Sequence, residues 1–168
     1  MRRPAAAIGS LVFFLIAPGV IAGLVPWLLT GFRSRPSPAY AVPLRVVGTV
    51  ILVAGVAVLV QAFARFVLEG SGTPAPVAPT DNLVVGGLYR YVRNPMYLAV
   101  LAVILGEAMA LWQPWLLIYA AVVALSFAVF VRVYEEPTLT RKFGAEYEAY
   151  CLAVPRWLPR LRPSTRFP

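Results

Sequence analysis

Between Gly86 and Tyr97 the chain reads Gly–Gly–Leu–Tyr–Arg–Tyr–Val–Arg–Asn–Pro–Met–Tyr, a dense group of arginine and tyrosine donors at the edge of a long apolar run. Tyr89, Arg93 and Tyr97 are four apart and share a face wherever that stretch is helical. Pro95 disfavours helical backbone at Asn94, so Asn94 is the expected junction before a helix. A second polar group, Arg132–Val133–Tyr134–Glu135–Glu136, stands where the apolar run ends. Arg132, Glu135 and Glu136 fall at i, i+3 and i+4, so one helical face can carry all three. The ordinary readings are an aromatic and basic membrane belt for the first group and an interfacial ion pair worth ~0–1 kcal/mol for the second. A belt does not require Arg–Asn–Pro–x–Tyr at the mouth of a helix, nor a glycine pair before it. A carboxylate pair beside an arginine at a membrane edge is costly unless partnered, and carboxylates serve cationic groups and hydroxyls. The chain has no histidine. That excludes an imidazole base, a Ser–His or Cys–His pair and most zinc sites, so no metal is expected.

The elements that must hold these groups are membrane helices. The chain has 168 residues, 60% of them hydrophobic, with a mean hydropathy of +0.76. Charged residues make up 13%, against about a quarter in an ordinary soluble domain. The net charge of +8 reads as basic residues flanking spans. It leaves no soluble domain for nucleic acid. The one cysteine, Cys151, excludes an intramolecular disulfide and is read as packing.

Uncharged runs cover Ala5 to Phe32, Val46 to Ala64, and Pro95 to Val131 with Glu107 as the sole interruption. Each exceeds or approaches the ~20 residues that cross a bilayer. A cleaved signal peptide is the rival for the first run, which is long for one and lacks a clean cleavage site; Pro18 and Pro26 are expected to kink it. Gln113–Pro114 splits the third into spans of roughly 95–112 and 114–132, a helical hairpin. The expected fold is therefore an all-α integral membrane protein of about four transmembrane helices. The last two form the hairpin, followed by a C-terminal interfacial amphipathic helix. Basic residues then fall mainly on one side, with only Arg33, Arg35 and Arg45 opposite, which predicts both termini in the cytoplasm.

Leu139, Phe143, Tyr147, Tyr150 and Val154 make the apolar stripe of that amphipathic helix, with a break expected at Gly144. The tail from Val154 to Arg160 is too proline-rich for a helix, and its arginines and Trp157 suit anionic headgroups. The segment Ser71 to Val85 is proline-rich and extended, either a plain linker or the approach to a binding pocket. Glu107 has two open readings: a neutral acid bonded to a neighbouring helix, or a wall of an acceptor cavity.

These motifs resemble the isoprenylcysteine carboxyl methyltransferase and phospholipid methyltransferase superfamily, in its bacterial-type form, over residues 70–160. The resemblance implies an integral enzyme of the bacterial inner membrane that uses S-adenosylmethionine (SAM). It assigns Leu83, Val84, Tyr89, Arg93, Asn94, Pro95, Met96, Tyr97 and Glu135 to cofactor binding. Arg132, as an orienter of the acceptor, and Glu136 become the catalytic candidates. Asn94 stands where histidine is commoner, so this position can hydrogen-bond but cannot titrate. Residues 1–68 are expected to form an N-terminal helix pair and 69–168 the methyltransferase core. The partners implied are a lipophilic acceptor and membrane lipids. Without histidine, an acceptor that is already anionic is favoured, such as the carboxylate of an isoprenylcysteine-like molecule. The alternatives are phospholipid N-methylation, thiol S-methylation and, outside enzymes, a membrane scaffold or transporter subunit.

Overall fold

A computed structural model describes residues 16–69 and 82–164 together with Val12, the side chains of 66–69 excepted. All regular structure among the described residues is helical, with no strand. The Ser71–Thr80 segment and the charges Arg2, Arg3 and Arg166 lie outside them. We label the helices α1 (Ile16–Thr30), α2 (Val42–Glu69), α3 (Pro95–Ala110), α4 (Trp115–Phe143) and α5 (Ala145–Ala153). A 3-10 turn, Ala39–Ala41, leads into α2, and another, Gly87–Arg90, precedes α3. Pro95 occupies the first turn of α3, where its missing N–H is no loss.

The bundle is built on the α2–α3 seam. Gly48, Leu52, Gly55, Leu59 and Ala62 recur at alternating steps of four and three, and face Ala99, Val103, Gly106 and Ala110. A β-carbon on Gly48 would lie 2.5 Å from Met109 Cβ, and one on Gly106 would lie 2.6 Å from Leu52 N. The two backbones are therefore in direct contact, as small residues allow between membrane helices. Ala99, Val100, Val103 and Ile104 continue the buried core toward Leu116, Ala120 and Val123 of α4.

The four-span expectation is corrected. Among the described residues, two helices are long and apolar enough to cross a membrane, Ala39–Arg65 and Trp115–Phe143, with 27 and 29 residues, about 40 Å each at 1.5 Å per residue. Only 28% and 22% of their apolar stretches are buried inside the protein, so their outer faces are left to lipid. Pro95–Ala110 is shorter, as is the described part of the first helix, Ile16–Thr30. The 16 residues of α3 reach about 24 Å, short of a ~30 Å hydrocarbon core, because Pro95 starts the helix and the turn at Leu111–Pro114 ends it. The prolines mark these ends in the sequence, but the four-span count takes the short helix between them for a full span.

The fourth helix also runs beyond the expected end near residue 132. It passes through a π-helical turn, Val131–Glu135, and continues to Phe143. Pro137, which has no N–H to give the preceding turn, sits just after this widening. The interfacial helix is corrected too. The chain breaks at Gly144 (φ +51°), and the stripe packs on protein: Tyr147, Tyr150 and Val154 are buried with Ala62, Val84 and Tyr89, and Leu139 and Phe143 pack against them.

Gly106→Ala is expected to lower the melting point in detergent, by about 1–3 kcal/mol of stability lost to overpacking. Gly23→Ala, where a β-carbon meets nothing within 4 Å, should leave it unchanged. Equal melting of the two variants would contradict the close seam.

Candidate functional site

The π turn decides which way the acidic pair points. A turn closed by Glu136 N–H to Val131 O is wider than an α turn, so residues three and four apart no longer stack. The single face expected for Arg132, Glu135 and Glu136 is thereby broken. Arg132 is exposed, Glu135 turns to Tyr97, and Glu136 turns to two arginines.

Glu136 is the knot of the site. Arg156 donates from Nε to Oε1 and from Nη2 to Oε2, each at 2.7 Å, and Arg93 donates from Nη1 to Oε1 at 3.0 Å. The side chains of Glu136 and Arg93 are 17% and 12% exposed, so these charge-assisted bonds are shielded. Arg93 Nη1 also donates to Cys151 Sγ at 2.7 Å. The tail then runs back along the motif. Arg93 N bonds Pro155 O (2.9 Å), Arg160 N bonds Tyr91 O (3.0 Å), and Ser164 N bonds Arg90 O (3.0 Å). Asn94 Nδ2 donates to Arg156 O at 3.1 Å. The arginines expected to meet headgroups include one, Arg156, that instead closes the site.

Arg93 and Asn94, to which the tail is bonded, line a cavity of about 600 Å³ of empty space, open mouth included. One end is polar: Tyr89, Arg93, Asn94, Tyr97 and Glu135. The other is apolar: Ala17, Pro18 and Ile21 of α1, Leu59 of α2, Val100 of α3 and Phe127 of α4. Tyr97 Oη donates to Glu135 Oε2 at 2.6 Å. Its ring lies 4.7 Å from Phe127 and 6.4 Å from Trp157, so the carboxylate is held by an immobilised phenol. On the α5 side, burial pushes the Tyr147 and Tyr150 hydroxyls well above the usual phenol range. They stay protonated, and Tyr150 Oη donates to Tyr89 O at 2.7 Å. At Gly87, φ is +58° and a β-carbon would lie 2.8 Å from Arg65 Nε, so only glycine fits the turn that presents Tyr89.

Of the residues singled out in the sequence, Tyr89, Arg93, Asn94, Pro95, Met96, Tyr97 and Glu135 are brought together as cavity wall. Glu136 stands behind that wall, joined to Arg93. Leu83 and Val84 pack in the cluster around Tyr147 and Tyr150 and do not line the cavity. Arg132 lies outside it. Glu107 is buried in α3, away from the cavity, with Oε2 unpartnered. Sequence reasoning missed Arg156, Phe127 and the α1 residues. Arg156 stands between Pro155 and Pro159, which restricts its backbone but does not point to its partner. The apolar wall carries no signal that sets it apart from membrane helix.

Residues 43–146 match the family described as phospholipid methyltransferase. A phosphatidylethanolamine N-methyltransferase from Phaeosphaeria nodorum (strain SN15) is 31% identical over 71 residues, covering 42% of this chain and 8% of that protein. The chain therefore spans a small fraction of that relative's length. No solved structure matches.

Glu136→Gln should release the tail. Leaving two arginines without their carboxylate is expected to cost about 1–3 kcal/mol and to speed tryptic cleavage at Arg156 and Arg160. Unchanged protection of both sites would show that the ion pairs do not hold the strap.

Proposed function

The chain belongs to the phospholipid methyltransferase family, whose methyl donor is SAM, and from that premise we propose that it methylates the amine of a membrane aminophospholipid. The observation that carries this reading is the two-ended cavity, with a polar pole at Arg93, Tyr97 and Glu135 and an apolar wall facing α1. An acyl chain suits the wall, and a charged headgroup suits the pole. The name of the fungal relative supports the same acceptor. The two membrane-spanning helices among the described residues make this an integral membrane enzyme, so its acceptor can arrive sideways from the bilayer.

The polar pole fits SAM. Glu135 offers a carboxylate to cationic groups, Tyr97 fixes its rotamer, and Arg93 keeps a buried Nε–H without a partner. Bound there, SAM supplies an electrophilic methyl on a sulfonium. The chain's own contribution is placement and dryness. Alignment of reacting atoms can be worth ~7–11 kcal/mol, and exclusion of water strengthens the charge contacts. An amine acceptor must also lose a proton. Glu136 is saturated by its arginines, whereas Glu135 faces the cavity with one oxygen bonded to Tyr97 and is placed to take it. This removes the ground on which the missing histidine favoured a carboxylate acceptor. Glu136 acts through Arg93 and Arg156 as a positioning residue, and Arg132 is assigned no step. Arg65, Arg90, Arg93, Arg141, Lys142 and Arg156 cluster at the motif end, which in this reading faces the cytoplasm.

Membranes carrying the protein, given methyl-labelled SAM, should accumulate label in N-methylated phosphatidylethanolamine. Glu135→Ala should abolish both this and calorimetric SAM binding while the melting transition persists. Label appearing instead as a base-labile methyl ester would establish carboxylate methylation, and unchanged SAM affinity would remove Glu135 from the site.

A further inference from the structure

The first helix is irregular where it meets the cavity. α1 widens into a π-helical turn over Val20–Leu24, closed by Val25 N–H donating to Val20 O. In a regular helix that N–H would go to Ile21 O. The donor that a further π turn could offer Ile21 belongs to residue 26, which is proline and has none. The Ile21 carbonyl is therefore stripped of its backbone partner. Within a bilayer no water replaces that partner, so another group must. Tyr119 Oη of α4 does so, donating to Ile21 O at 2.8 Å. Both ends of this bond belong to the cavity's architecture. Ile21 lines the apolar pole, one turn from Ala17 and Pro18, the other α1 residues of that wall. Tyr119, Val123 and Phe127 follow at steps of four, and one face of α4 carries all three toward the core. Phe127 lines the cavity. Tyr119, two turns away, holds the α1 wall to the helix that carries Phe127.

We infer that Tyr119 is a positioning residue for the lipid acceptor: its hydroxyl ties down the freed Ile21 carbonyl and so sets the width of the apolar pole between α1 and Phe127. This deepens the proposed function and rests on it for the identity of the acceptor. The polar pole is assembled from the motif before α3, from Tyr97 of α3 and from Glu135 of α4, with no residue of α1. Loss of the Tyr119 bond therefore loosens one pole and spares the other. Phenylalanine at this position keeps the ring in the core and removes only the donor, leaving the Ile21 carbonyl unsatisfied. An acyl chain then meets a wall that must be ordered on binding instead of one already in place.

The test is calorimetric titration of detergent-purified wild type and Tyr119→Phe with two ligands, SAM and phosphatidylethanolamine in mixed micelles. The expected result is that Tyr119→Phe binds the lipid roughly five- to tenfold more weakly and binds SAM as wild type does. A role in stability alone would lower the melting transition and leave the ratio of the two affinities unchanged; that outcome overturns the inference. Ile21→Ala keeps the backbone carbonyl and trims the wall, so it should weaken lipid binding selectively as well. Should Tyr119→Phe fail to fold, Ile21→Ala decides, and an unchanged ratio there overturns the α1 wall. Folded wild type that does not bind the lipid overturns the inference too. Wild type that binds the lipid but transfers no methyl label to it overturns the proposed function instead, and the affinity ratio still decides the role of Tyr119.

Discussion

The grip of two arginines on Glu136 is the interaction on which the rest of the site depends. It joins three segments far apart in sequence: the motif before α3, the last stretch of α4, and the tail after α5. Opposite charges so shielded are stable only when their geometry and remaining bonds are satisfied. Here the bidentate contact from Arg156 and the backbone bonds from Arg90, Tyr91 and Arg93 to the tail supply that satisfaction. The strap and the position of Arg93 at the cavity wall follow from one carboxylate.

Two backbone features make the knot possible. The glycine seam brings α2 and α3 into contact, which sets Leu59 and the motif at one end of the bundle around a shared cavity. The π turn at Val131–Glu135 then separates adjacent glutamates into different jobs. Glu135 enters the cavity and Glu136 leaves it for the clasp. A regular α-helix through this stretch would have kept Arg132 on the same face as both. The local irregularity is therefore what divides the glutamate that lines the cavity from the one that ties the tail.

Much of this was legible in the sequence, and the rest was not for identifiable reasons. The Arg–Asn–Pro–x–Tyr segment announced itself because its residue types and its proline are local signals. Asn94 does stand at the junction before α3, where it also ties down the tail. The span count went astray because the helix bounded by Pro95 and Gln113–Pro114, ends that the sequence does mark, was taken for a full span although its 16 residues fall short of the hydrocarbon core. The alternating spacing of Gly48, Leu52, Gly55 and Leu59 was visible, yet within a uniformly apolar run it does not stand out from lipid-facing residues. The partnership of Arg156 with Glu136 could not be read, because nothing local distinguishes an arginine bound to a carboxylate from one meeting a headgroup. For the same reason the Leu139–Val154 stripe looked interfacial, although its periodicity was right and only its partner was wrong.

The account's central claim is that the motif and the tail form one binding unit for SAM, clasped through Glu136. Amide hydrogen exchange on the full chain in detergent, with and without SAM, tests it most directly. The account predicts that SAM slows exchange in residues 88–97 and 154–164 together, since Arg93, Arg160 and Ser164 donate their amides across the join. Protection confined to either segment alone, or absent from both while SAM binds, would contradict it.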